Sequence, residues 1–253
     1  MKYLGGKQRL GKHLAPSLHE LWNDADANGD PYDGYLEPFC GSLGVFRQMT
    51  DLPTNNFQAN DYHPDLIQMW KEVKAGTFVP PDSVSEDEYL AAKMLTSPSA
   101  MKSFVGFGMS FGGRFFGAYS QKYLGNKKED FCKEMRNSLG RAAPVIQQVK
   151  FTNHDYRDLK PRNMLIYCDP PYRVTKFPIK YRRETKVYDT FDNDEFWDVV
   201  RKWSVDNTVI VSETTAPDDF MVVWEKEMSR SASNSKNTKI KEPALTEKMF
   251  MMK

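Results

Sequence analysis

The chain has 253 residues, 40% of them hydrophobic, and a formal net charge of +1. That apolar fraction is enough for one substantial core plus a smaller module, and it argues against a disordered chain. Three widely spaced cysteines, Cys40, Cys132 and Cys168, exclude a disulfide framework and a cysteine-rich metal site, and fit a reducing, cytoplasmic setting. No apolar run is long enough for a membrane span, and Met1–Gly6 lacks a signal-like stretch.

The near-neutral total hides local asymmetry. Residues 1–12 carry Lys2, Lys7, Arg9 and Lys12 without an acid. Residues 101–141 carry eight basic residues against three acidic, and residues 173–186 six against Glu184. A phosphate-facing protein needs a local basic surface rather than a basic total.

In chain order, a short strand is expected at Gly34–Leu36, running into Glu37-Pro38-Phe39-Cys40-Gly41-Ser42-Leu43-Gly44, with a helix from Val45 through Met49. Phe57–Asn60 reads as a second strand ending at Asp61. The spacing of Leu66, Ile67, Met69, Trp70 and Val73 predicts a helix over 65–74. A Gly-rich strand-to-helix turn followed by a strand ending in an acid is the layout of nucleotide-like cofactor sites in open α/β sheets. Gly76, Pro80 and Pro81 interrupt this order. From Phe104 to Tyr123 five glycines alternate with aromatic residues, which is poor helix sequence and predicts a loop-rich recognition module. A helix is expected over Phe131–Ala143. The main fold resumes near Val149, passes Asp155 and reaches a buried strand over Asn163–Tyr167. A helix over Asn193–Trp203, a strand over Thr208–Val211 and a polar loop over 229–243 complete the order.

The strand ending at Tyr167 leads into Cys168-Asp169-Pro170-Pro171-Tyr172. Asp169 and the Pro170 carbonyl can each accept a hydrogen from a planar amino group, and Tyr172 can stack on its ring. That set suits a base extracted from a duplex. Upstream, Gly41 permits close backbone approach to a cofactor. Gly44 lets the next element pack closely. Asp61 can accept two ribose hydroxyls, and Asp155 an adenine-ring amino group. Cys168, at a strand end ahead of the acid, reads as a packed thiol rather than a covalent nucleophile.

These motifs resemble, in order, those of the Dam-like (D12 class) S-adenosylmethionine-dependent DNA adenine N6-methyltransferases of prokaryotes and phages. Tyr3-Leu4-Gly5-Gly6-Lys7 is similar to the family's first cofactor segment, Glu37–Ser42 to its main methyl-donor motif, and Asn60–Leu66 to its ribose segment. His154-Asp155-Tyr156 is similar to its adenine side, and Asp169–Tyr172 to its catalytic loop. The family often has glycine where Leu43 stands. The resemblance implies an α/β fold: a Rossmann-like methyltransferase sheet built from residues 1–75 and 149–253, with an inserted, largely helical and loop-rich target-recognition module at 76–148.

It further implies S-adenosyl-L-methionine as cofactor, held by Tyr3, Lys7, Glu37, Phe39, Gly41, Asp61, Asp155 and Asp169. A rival role for Lys7 is a DNA phosphate contact. Asp169, Pro170 and Tyr172 would be catalytic, with no metal required. Double-stranded DNA would be bound through Ser110, Arg114, Tyr119, Arg173, Lys176, Lys180, Arg182, Arg183 and Arg230, with no obligatory protein partner and no membrane. The setting would be the cytoplasm of a prokaryote or a phage-infected host. Cytosine N4 transfer, an inactive DNA-binding relative, and an RNA or protein methyltransferase are the alternatives.

Overall fold

A computed structural model describes residues 1–120, 123–124, 127–172, 191–228 and 245–253. Its contacts divide the chain into two units, Met1–Lys160 and Pro161–Lys253.

The first unit opens with helix α1 (Gly11–Ala27), then strand β1 (Gly34–Glu37) and strand β2 (Phe57–Asn60). Helix α2 (Pro64–Ala75) follows. Its start is set by His63, whose ring accepts the Leu66 amide, and by Pro64 in the first turn; its end is set by Gly76 at φ 69°. Helix α3 (Glu86–Lys93) begins with a reciprocal Ser85–Glu88 capping box, and helix α4 spans Ala100–Gly108. Two short antiparallel strands, β3 (Tyr123–Leu124) and β4 (Lys127–Lys128), precede helix α5 (Phe131–Ala142) and strand β5 (Val149–Thr152). Strand β2 lies between β1 and β5 and is parallel to both. Their C-terminal ends therefore share one edge, where ligands bind in open α/β sheets.

The second unit contains strand β6 (Met164–Cys168), buried at every position, and helix α6 (Asn193–Trp203), capped by Asp192. Strands β7 (Thr208–Glu213), β8 (Phe220–Met228) and β9 (Leu245–Met252) follow. Strand β6 pairs in parallel with β7, and β9 is antiparallel to both β7 and β8. The uninterrupted apolar run of β6 is what a parallel strand covered on both faces requires. The architecture is the α/β Rossmann-like methyltransferase class, with helical insertions. Among the described residues no helix is long and apolar enough to cross a membrane.

Several elements differ from expectation. Residues 45–49 form only a short 3-10 turn, Phe46–Gln48. The Gly-rich stretch expected as loop is helical through Gly108, because packing overrides propensity there. Phe104, Val105 and Phe107 are buried, and a Cβ on Gly106 would lie 2.5 Å from the Phe115 ring and 2.7 Å from the Phe116 ring. Glycine is what lets those rings seat against the helix. Helix α1 was not anticipated, although Leu14, Leu18 and Trp22 recur every fourth residue and are buried; Pro16 interrupts that pattern. Helix α3 and strands β8 and β9 were also missed. The expected polar loop at 229–243 lies outside the described residues.

Candidate active site

At the shared edge of β1, β2 and β5, one buried side chain organises the loops. Asn60 donates through Nδ2 to the carbonyls of Pro38 and His154, at 3.1 and 3.0 Å. Its Oδ1 accepts from the His154 amide and the Thr152 hydroxyl, each at 2.9 Å. The three strand ends are thus tied through one amide whose donors and acceptor are all used. Sequence reading passed over Asn60; its only signal was a polar residue ending an apolar strand.

Asp61 follows. Its two carboxylate oxygens accept the backbone amides of Gly41 and His63, each at 2.9 Å, and Asn153 donates to its carbonyl at 2.8 Å. Burial raises the Asp61 carboxyl above the ordinary range, and the His63 and Gly41 amides oppose that rise. A carboxylate offers about four acceptor sites. Two are taken, so the pair of oxygens can still receive two ribose hydroxyls. The Gly41 turn sits at φ 45°, its carbonyl accepts the Trp70 indole at 3.0 Å, and a Cβ there would press to 3.0 Å on the Tyr3 ring. Tyr62, adjacent to Asp61 and 64% exposed, is an aromatic at this edge that the sequence reading did not single out.

Leu43 stands in the left-handed region at φ 58° and is fully buried. This explains why glycine suits the position, and shows Leu43 accommodated by core burial at the expense of backbone strain. At Gly44 the close approach is to the Lys7–Gln8 backbone, 2.8 Å from a hypothetical Cβ, so the Lys7 segment is seated directly on the motif turn. Lys7 also accepts the Leu10 and Gly11 amides through its carbonyl. Glu37 is buried and accepts the Tyr35 hydroxyl at 2.8 Å. The Phe39 ring lies 5.2 Å from Tyr156. Asp155 caps the turn at Tyr156–Asp158 and is gripped by the Arg157 guanidinium, at 2.8 Å from Nε and 2.5 Å from Nη2; that contact lowers its carboxyl.

The amino-terminal segment also reaches the 76–148 region within the same unit. The Leu4 amide donates to the Gly113 carbonyl at 3.2 Å, and the Tyr3 ring lies 4.9 Å from Phe107. There, Ser110 is buried, donates to the Gly106 carbonyl at 2.6 Å and meets the Tyr89 hydroxyl at 2.8 Å. Tyr119 donates to the Val84 carbonyl at 2.7 Å. In this arrangement both brace the module. Arg114 is half-buried and directly follows the turn Phe111–Gly113, on which Phe111 is exposed.

In the second unit, Asp169 follows directly from β6 and is half-buried, Pro170 is buried, and Tyr172 is half-buried. The Tyr172 hydroxyl donates to Glu247 and lies 3.1 Å from the Ser212 hydroxyl. Burial, then the charges of Asp169 and Glu247, push the phenol upward, so it stays protonated. Cys168 is fully buried, in accord with a packed thiol. Arg173, Lys176, Lys180, Arg182, Arg183 and Arg230 lie outside the described residues.

No curated protein matches the chain significantly. Similar solved structures include a proposed RNA methyltransferase from Pyrococcus horikoshii, at 9% identity and TM-score 0.36, covering 94% of this chain and 83% of that one. A proposed methyltransferase from Escherichia coli has 9% identity and TM-score 0.36, with 93% and 83% covered. A proposed methylase from Haemophilus influenzae has 9% identity and TM-score 0.37, with 97% and 87% covered. Scores this low bear on neither substrate nor mechanism. Residues 3–96, which hold β1, β2 and Asp61 with its Gly41 and His63 partners, match the family model of the D12 class N6 adenine-specific DNA methyltransferases.

Proposed function

We propose that the chain transfers the methyl group of S-adenosylmethionine to the N6 amine of an adenine extruded from double-stranded DNA, inside a prokaryotic or phage-infected cell. The observation that carries this reading is the loop Asp169–Tyr172 at the C-terminal end of the buried parallel strand β6, in a chain with a D12-class amino-terminal segment. The reading takes residues 1–75 and 149–253 as the catalytic domain and 76–148 as the target-recognition module.

The residues present fit the donor. Asp61 keeps acceptor capacity for a ribose, and the positive-φ turn at Gly41 leaves its backbone uncovered by a Cβ. Tyr3, Lys7, Glu37, Phe39 and Asp155 complete the proposed donor side. Bound S-adenosylmethionine supplies a methyl group activated by its sulfonium. The chain's task is to hold the amine. An exocyclic adenine nitrogen is a weak nucleophile because its lone pair is delocalised into the ring. Asp169 and the Pro170 carbonyl accept hydrogen bonds from its two N–H groups, which favours a more tetrahedral nitrogen and offsets the positive charge that develops there until one proton is released from the nitrogen to solvent. Tyr172 stacks on the base. Alignment supplies most of the remaining acceleration. Arg114 reads a base edge, Ser110 and Tyr119 support its turn, and Arg173, Lys176, Lys180, Arg182, Arg183 and Arg230 contact phosphates.

The test is labelled donor with unmethylated duplex DNA, followed by identification of the modified base. N6-methyladenine is expected, with transfer abolished in Asp169→Ala while donor affinity is largely kept. N4-methylcytosine as the product, or near-wild-type transfer by folded Asp169→Ala, would sink the reading.

A further inference from the structure

Strand β9 carries one acid into an apolar face. Glu247 is 4% exposed, two residues before the fully buried Met249. Met249 pairs across the sheet with Ser212 of β7, so side-chain alternation puts Ser212, Met249 and Glu247 on one face. The Ser212 hydroxyl donates to Glu247 Oε1 at 3.0 Å, and the Tyr172 hydroxyl donates to the same oxygen. The two hydroxyls lie 3.1 Å apart and close a triangle. A buried carboxylate is costly unless satisfied, so its presence on this strand calls for a specific use. The three groups come from the catalytic loop, β7 and β9, all within the second unit.

The Tyr172 ring is therefore held at both ends. Its backbone follows two prolines, which restrict the chain, and its hydroxyl is anchored to the sheet. A ring fixed at the para position has lost the swing that an unanchored tyrosine keeps. We propose that Glu247 is a positioning residue that acts through the Tyr172 hydroxyl to preset the ring face on which the target adenine stacks. This rests on the stacking reading of Tyr172 given above. The phenol stays protonated, so it remains a donor to Glu247 across the working pH range.

The test measures single-turnover transfer from tritiated S-adenosylmethionine to duplex DNA made by amplification, so that it carries no methylated bases. Donor affinity and thermal unfolding are measured in parallel. Tyr172→Phe keeps the ring and removes the anchor; Glu247→Ala removes the anchor from the other side. A hydrogen bond to a charged group supports an expected loss of about 10- to 100-fold in rate for each, with donor affinity unchanged. The double variant should be no slower than the worse single variant, because both delete one interaction. Glu247→Gln, which retains an acceptor oxygen, should recover most of the rate. Multiplying losses in the double variant, or wild-type transfer by Tyr172→Phe, would overturn the positioning role. If Glu247→Ala does not fold, Tyr172→Phe and Glu247→Gln decide the question. Tyr172→Ala separates the two layers: full transfer by that variant removes the stacking reading itself, whereas its loss alongside an active Tyr172→Phe removes only the role of Glu247.

Discussion

Asp61, the proposed ribose acceptor, also holds the motif turn through the Gly41 and His63 amides, so its removal should be felt twice. In Asp61→Ala the Gly41 and His63 amides lose their acceptor at 2.9 Å. Each amide left without a partner costs roughly 1–3 kcal/mol, and water reaching this half-buried site offsets part of that. We expect a stability loss of about 2–4 kcal/mol, read as a shift in the urea midpoint. Donor binding should fall further. Two ribose hydroxyls on a carboxylate are worth about 1.5–3 kcal/mol each, which predicts a Kd weaker by roughly 10²- to 10⁴-fold. Asp61→Asn separates the effects: its amide oxygen can serve one backbone amide, so most of the fold survives while ribose binding drops. Calorimetry with donor, at a temperature where each variant is folded, gives the affinity; a duplex titration controls for general damage. Because burial raises the Asp61 carboxyl, donor affinity should also decline on acidification sooner than an exposed aspartate would allow. Unchanged donor affinity in folded Asp61→Asn would remove the carboxylate from ribose binding.

Arg114→Ala should flatten sequence preference across a randomised duplex library, by about 1–3 kcal/mol in discrimination if a paired guanine contact is lost; an unaltered profile rejects base readout. Gly106→Ala gains about 1 kcal/mol of helix propensity but meets the Phe115 and Phe116 rings, and overpacking of about 1–3 kcal/mol should leave the protein net destabilised in urea. A stabilised Gly106→Ala would show that the rings yield. His63 is held down to about 4 by burial, against about 6.5 in the unfolded chain. The unfolded state therefore binds the extra proton first, and stability should fall as pH drops from about 6.5 toward 4, by about 3 kcal/mol at the lower end. His63→Asn, which keeps a capping side chain, should flatten that segment of the stability–pH curve; an identical slope would assign it to other groups.

The elements readable from the chain alone are those whose information is local. Alternating or continuous apolar runs marked β1, β2, β6 and β7, and helical spacing marked α2, α5 and α6, because burial imposes periods of two or 3.6 on whichever side chains face the core. The acid-ending strand and the Asp-Pro-Pro-Tyr loop were legible because each is a short contiguous motif at a strand end. Tertiary structure decided the rest. Helix α4 forms despite Gly106 and Gly108, since close seating of Phe115 and Phe116 outweighs propensity. Leu43 occupies a glycine-like conformation because its side chain is buried. Asn60 and Glu247 lie 94 and 75 residues from His154 and Tyr172, the partners they hold. No local pattern encodes such pairings, because a buried polar group is identified only by the distant donor or acceptor that satisfies it.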